Sequence, residues 1–107
     1  MSRVKCDSRE HIVYELTVNG LRYIGSTNIE PELGVVGSLK RRIAKHWYRL
    51  KDEKRSQWRL YRAIAELPNR DAIERRVIAV MPNKAAAHDY ELALIHTTQP
   101  ELNTEGA

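Results

Sequence analysis

Residues 11–26 read HIVYELTVNGLRYIGS, and this stretch decides the fold. From His11 to Val18 the side chains alternate, with Ile12, Tyr14, Leu16 and Val18 on one side and His11, Val13, Glu15 and Thr17 on the other, the period of a β-strand. Asn19-Gly20 follows, a pair that tolerates the positive φ required at both centres of a two-residue hairpin turn. Leu21 to Ser26 then returns as a second strand. In such a hairpin Leu16 opposes Tyr23 and Tyr14 opposes Gly25, so the two tyrosines lie on one face as diagonal neighbours, roughly 7–8 Å apart at their backbones. Gly25 has no side chain and is expected to leave open space across from Tyr14. Two phenols beside a space suit proton chemistry, because each hydroxyl can donate and accept. Two ordinary half-buried strand tyrosines are the structural alternative.

Beyond the hairpin, residues Thr27 to Gly37 include Pro31, Gly34 and Gly37 without a regular period and read as a loop. Ser38 is placed to cap a helix running to about Glu53, with Leu39, Ile43, Trp47 and Leu50 as its apolar stripe. A second helix starts near Ser56, ends before Pro68-Asn69, and turns Trp58, Tyr61, Ile64 and Leu67 inward. Ile73 to Met81 reads as a third strand, halted by Pro82-Asn83, and Asn83 can cap a third helix over about Lys84 to His96. Gln99 to Ala107 is expected to be irregular. The order β-β-α-α-β-α predicts an α+β fold, a small three-stranded antiparallel sheet flanked by three helices, in a single domain whose core spans about residues 10–103.

The chain of 107 residues has room for one core and carries no apolar run near the ~20 residues a membrane span needs. Met1 to Glu10 lacks an apolar leader segment, and the lone Cys6 has no partner for a disulfide or a cysteine-based zinc site. Cytoplasmic residence and an inert thiol are the expectation. The net charge of +4 is unevenly spread. Between Leu39 and Arg62 ten Lys and Arg face two acids, a stretch of +8, while the rest of the chain carries −4. A basic block of this kind suits a polyanion, since each neutralised phosphate releases counterions; a solvated helix face is the alternative. Lys40, Arg41, Lys45, Arg49, Arg55 and Arg59 are its candidate nucleic-acid contacts.

Two further features point to chemistry. Arg42 and His46 are four apart and share a helix face. A guanidinium grips phosphate with two hydrogen bonds, and an imidazole donates or relays a proton near neutral pH. In the third helix the apolar stripe Ala87, Tyr90, Leu94 and Ile95 contains Glu91. A carboxylate on a core-facing stripe needs a partner. A structural salt bridge to Arg42 would serve, and so would a hard divalent ion such as Mg²⁺, which takes oxygen ligands and keeps several waters. His11, His88 and His96 lack cluster spacing for zinc and read as structural or solvent-facing.

Taken in order, these residues resemble the GIY-YIG nuclease family. Ile12-Val13-Tyr14 and Tyr23-Ile24-Gly25 correspond to its two tripeptides, Arg42 and His46 to its helical arginine and the histidine that often follows, Glu91 to its later glutamate, and Asn103 to its terminal asparagine. The first tripeptide has Ile12 where the family has glycine, and Ile29 to Gly37 looks like an insertion beside the site. Where some members carry another histidine after the first helix, this chain reads Lys54-Arg55-Ser56. The resemblance implies a DNA endonuclease that uses one Mg²⁺ or Mn²⁺ per active site, held by Glu91. Tyr14 would lead in deprotonating the attacking water, with Tyr23 and His46 assisting; the choice of general base among the three stays open. Arg42 would neutralise phosphoryl charge and Asn103 would position groups by hydrogen bonding. With four residues after Asn103 and no appended recognition domain, low sequence preference or recognition of DNA structure is expected. A restriction-type enzyme acting as a homodimer, and a DNA-binding module of the same fold that does not cut, are the alternatives.

Overall fold

The computed structural model describes residues 9–51 and 58–103. Strand β1 (His11–Val18) and strand β2 (Leu21–Asn28) form the hairpin, with Leu16 opposite Tyr23 and Tyr14 opposite Gly25, the register read from the sequence. Asn19 and Gly20 take φ of 52° and 81°, the two positive values a type I′ turn needs. Strand β3 (Glu74–Met81) pairs antiparallel with the other side of β1, giving the sheet order β2-β1-β3. The pairing slips by one residue between Val13 and Tyr14, a bulge of the kind that lets a short sheet bend.

Helices cover both faces of this sheet. Helix α1 (Gly34–Tyr48) and helix α2 (Arg59–Ala65) lie on the face that carries Ile12, Tyr14, Leu16 and Val18, and Leu39, Ile43, Leu60, Tyr61 and Ile64 complete that core with Ile73 and Leu102. Each such aliphatic side chain taken out of water contributes roughly 2 kcal/mol. Helix α3 (Lys84–Thr98) covers the opposite face, where Ala87, Leu94 and Ile95 pack with Val13, Ile24, Ile78 and Met81. The first half of the central strand is therefore buried on both sides. The architecture is α+β in the order β-β-α-α-β-α. Among the described residues no helix is long and apolar enough to cross a membrane.

Local boundaries differ from the sequence reading in instructive places. Strand β2 runs on to Asn28, and α1 begins at Gly34, a full turn before Ser38, with no side-chain cap at Leu33. Ser38 is buried inside the helix, where its hydroxyl accepts the Glu30 N–H at 2.8 Å. It ties down the preceding turn instead of capping. Half of the expected loop insertion is thus helix, and Ile29 and Val35 from it pack on the core. Helix α1 yields to a 3₁₀ turn at Arg49–Lys51, and the expected continuation to Glu53 and the start near Ser56 lie outside the described residues, as do Cys6 and Arg55. In α2 Leu60 takes the core position expected for Trp58, which sits at the helix N-terminus and is 39% exposed. Ile73 precedes β3 and packs from a 3₁₀ turn over Arg70–Ala72. Asn83 caps α3 as expected, its Oδ1 accepting the Ala86 N–H at 2.8 Å, but Tyr90 turns outward. The tail holds a short 3₁₀ turn at Glu101–Asn103.

Candidate active site

Because β2 is an edge strand, a cavity can wrap around its rim and reach both faces of the sheet. One does, with a volume of about 430 Å³. Tyr14, Tyr23, Arg42, His46, Glu91 and Asn103 all line it. The first four reach it from the α1 side, and Glu91 comes from α3 on the other.

The aromatic side of the cleft is a hydrogen-bonded chain. The Tyr14 hydroxyl and His46 Nε2 share a bond of 3.0 Å, His46 Nδ1 and the Tyr61 hydroxyl one of 2.9 Å, and Arg49 donates to that hydroxyl at 3.5 Å. Tyr23 stands edge-on to His46 with ring centroids 5.8 Å apart, and 6.5 Å from the Tyr14 ring. The expected open space across from Tyr14 is filled. A Cβ on Gly25 would stand 2.7 Å from the Tyr14 hydroxyl oxygen and 2.9 Å from Tyr23 Cε2. Glycine at this position makes room for the two phenols themselves, so that they can lean over the strand toward the rim.

Burial sets the protonation of this chain. His46 is 3% exposed, and its pKa is pushed down to about 3 by burial first, then by Arg42, Arg49 and Lys45; the imidazole is neutral. Tyr14 is raised well above the ordinary phenol value by burial, with Tyr23 and Glu91 adding to the rise and Arg42 opposing it. Tyr23 is raised to about 12, again by burial and then by Glu91. The neutral His46 has one N–H and one bare nitrogen, so it donates to one of Tyr14 and Tyr61 and accepts from the other.

The opposite wall supplies charge. Glu91 Oε1 accepts the Ser26 hydroxyl at 2.8 Å. Among the described residues Glu91 forms no ion pair, so the structural salt bridge to Arg42 is not made. Arg42 instead donates its Nε to Thr27 Oγ1 at 3.1 Å, which aims the guanidinium while both terminal nitrogens keep their protons for another acceptor. Asn103 spends its amide on the backbone: Oδ1 accepts the Ile24 N–H at 2.7 Å and Nδ2 donates to the Ile24 carbonyl at 2.8 Å. It clasps the edge of β2 between Tyr23 and Gly25 and is a positioning residue.

Among the described residues no three His, Cys, Asp or Glu converge. The donor set for an ion is a single half-buried carboxylate with free lone pairs, facing a water-accessible cleft. That suits a hard divalent cation, which keeps most of its water shell and binds through one or two carboxylates plus a phosphate.

The basic candidates separate into groups. Arg41 and Lys45 from α1 and Arg49 from the 3₁₀ turn after it line a second groove, and Arg49 lines the cleft as well. Lys40 is exposed but lines neither. Arg59 faces the hairpin turn, beside Asn19 and Leu21, and donates to the Glu101 carbonyl at 3.3 Å. Arg55 lies outside the described residues. The sequence reading did not single out Ser26, Thr27, Tyr61, Trp58 or His88 as site residues. Ser26 was legible in principle, since the hairpin register puts it on the face that α3 covers. A buried tyrosine hydroxyl requires a partner, which is the one hint Tyr61 gave. His88, read as structural or solvent-facing, lines the cleft from α3.

No protein-family model, no curated protein and no solved structure matches the chain.

Proposed function

We propose that this chain is a divalent-metal-dependent endonuclease that hydrolyses DNA phosphodiester bonds in the cytoplasm, with the site plan of the GIY-YIG nucleases. The observation that carries the reading is the meeting of Tyr14, Tyr23, Arg42, His46, Glu91 and Asn103 in one cleft from five separate parts of the chain. A buried scaffold has little reason to bring a free guanidinium, a carboxylate without an ion pair and a tyrosine-histidine chain to one opening. Phosphoryl transfer uses each of them.

Glu91 would hold the ion, Mg²⁺ or Mn²⁺, which when bound supplies Lewis-acid polarisation of the scissile phosphate and stabilises the leaving oxygen. Arg42 receives non-bridging phosphate oxygens on its terminal nitrogens, with Nε anchored to Thr27. Water adds to phosphorus in line with the leaving sugar oxygen, the P–O bond to that oxygen breaks, and the water proton passes to Tyr14. Tyr14 is protonated in the free protein. It takes the new proton while handing its own to His46 Nε2, with which it already shares a hydrogen bond. The cations that help depress His46 are Arg42, Arg49 and Lys45. An arriving phosphate partly neutralises them, so substrate binding itself makes His46 a better acceptor. Asn103 and Gly25 hold the phenols in place.

Cleavage of plasmid and of a short labelled duplex with Mg²⁺, with chelator, and by Glu91→Gln tests the assignment. The wild type is expected to cut only with the cation, and Glu91→Gln to lose about 10²–10³ in rate, the usual cost of removing one electrostatic contact to a transition state. Cleavage that survives Glu91→Gln overturns the role of Glu91. DNA binding with no cleavage under any divalent ion would make the chain a binding module.

A further inference from the structure

The basic side of α1 carries more than phosphate-binding charge. Its last residue, Tyr48, is 62% exposed and stands in a groove of about 610 Å³ lined by Arg41, Ala44, Lys45, Arg49 and Lys51. No carboxylate lines that groove. Among the described residues neither the Tyr48 ring nor its hydroxyl has a hydrogen-bond or aromatic partner, and Lys45 and Lys51 have no ion pair. Lys45 feels Arg42, Arg49 and Arg41 strongly enough that its own affinity for a proton is lowered. The cations are therefore crowded, and among the described residues Arg41 alone of them has a counter-charge, Glu30 at 3.5 Å. The groove and the cleft share one wall residue, Arg49, which places them side by side.

A helix that merely tracked duplex phosphates would need the cations and not the ring. A flat aromatic face among cations suits a base whose own face is exposed, with its flanking phosphates on the surrounding Lys and Arg. Bases inside a duplex present no free face. We propose that the groove around Tyr48 is a stacking subsite for an unpaired DNA base, which directs the protein to single-stranded or frayed DNA next to the phosphate held in the cleft. This rests on the nuclease reading above and narrows its substrate.

The test measures binding by fluorescence anisotropy at one salt concentration, with chelator present, using short oligothymidine and a blunt-ended linear GC-rich duplex. Tyr48→Ala is expected to weaken oligothymidine binding about tenfold, Tyr48→Phe and Tyr48→Trp to retain it, and the duplex affinity to change by less than about twofold. Iododeoxyuridine placed in the oligonucleotide is expected to crosslink to Tyr48 on irradiation. Because Tyr48 is exposed, its variants should keep the wild-type thermal melting, and equal melting temperatures confirm that binding alone is read. Equal loss on both DNAs, loss with Tyr48→Phe as well, or no loss at all overturns the stacking subsite. If the wild type cuts DNA while Tyr48→Ala binds oligothymidine normally, the subsite alone is wrong. If the wild type binds neither DNA, the nuclease reading falls with it.

Discussion

Gly25 is the residue on which the aromatic half of the cleft depends. Its missing Cβ would lie within 3 Å of both the Tyr14 and Tyr23 rings, and Tyr14 cannot retreat, being 1% exposed and tied to His46. Gly25→Ala is therefore expected to cost about 1–3 kcal/mol through overpacking and to pull the Tyr14 hydroxyl off His46. Activity should fall much further than thermal stability does, and comparing melting temperature with cleavage rate checks this. His46 makes a different prediction. Its folded pKa of about 3 lies below the roughly 6.5 of an unfolded chain. Between those values the unfolded state binds the extra proton, so stability rises with pH through this window and is lost on acidification, at up to about 1.4 kcal/mol per pH unit. Urea midpoints taken from about pH 7 to about pH 4 should drop more steeply for the wild type than for His46→Gln, which has no such proton to gain. Parallel slopes would mean that the imidazole takes up its proton over the same pH range in the folded protein as in the unfolded chain.

Among the elements, the terminal 3₁₀ turn shows how a short segment can matter to the site. Asn103 gives β2 the two hydrogen bonds that a neighbouring strand would give, at an edge where none pairs. Asn103→Ala leaves the Ile24 N–H and carbonyl unsatisfied and is expected to cost about 1–3 kcal/mol. Asn103→Asp keeps the acceptor and loses the donor, so its melting temperature should fall between the two; a melt for Asn103→Ala equal to wild type would discard the clasp. The elements also show what the sequence could and could not disclose. The hairpin was legible because alternation, Asn19-Gly20 and the register are all local. So was the Asn83 cap of α3. The start of α1 was not, because Ser38 looks like a cap in sequence and its hydroxyl is claimed by Glu30, eight residues back, through a turn that forms only in the folded chain. In α2, Trp58 and Leu60 differ by less than one turn, and what the helix packs against decided between them. Glu91 was marked as odd by its place on an apolar stripe, but its hydroxyl partner Ser26 comes from another element. The cleft itself forms only when α1 and α3 are set on opposite faces of a sheet whose edge they share.

At the scale of the whole molecule, charge is sorted by place as well as by sequence. Lys45 and Arg49 gather beside the cleft with no ion pair among the described residues, whereas Arg41 is paired with Glu30 at 3.5 Å, Arg76, on β3, with Glu15 at 3.2 Å, and Arg22 reaches Glu15 and Glu101 at 4.0 and 3.8 Å. A polyanion that docks through the first group releases about one counterion for each phosphate neutralised, while a cation already paired within the protein adds little. The logarithm of the affinity for DNA should therefore fall linearly as log salt rises. Lys45→Ala and Arg49→Ala should each make that slope shallower by about one. Arg76→Ala removes the same formal charge, yet it should leave the slope within error, because Arg76 is matched by Glu15 on β1 and lines neither the cleft nor the groove. Anisotropy titrations over a range of salt concentrations separate these outcomes. A slope that responded equally to all three substitutions would mean that net charge, and not the face formed by α1, governs binding, and the orientation of DNA across the cleft would then have no basis in this fold.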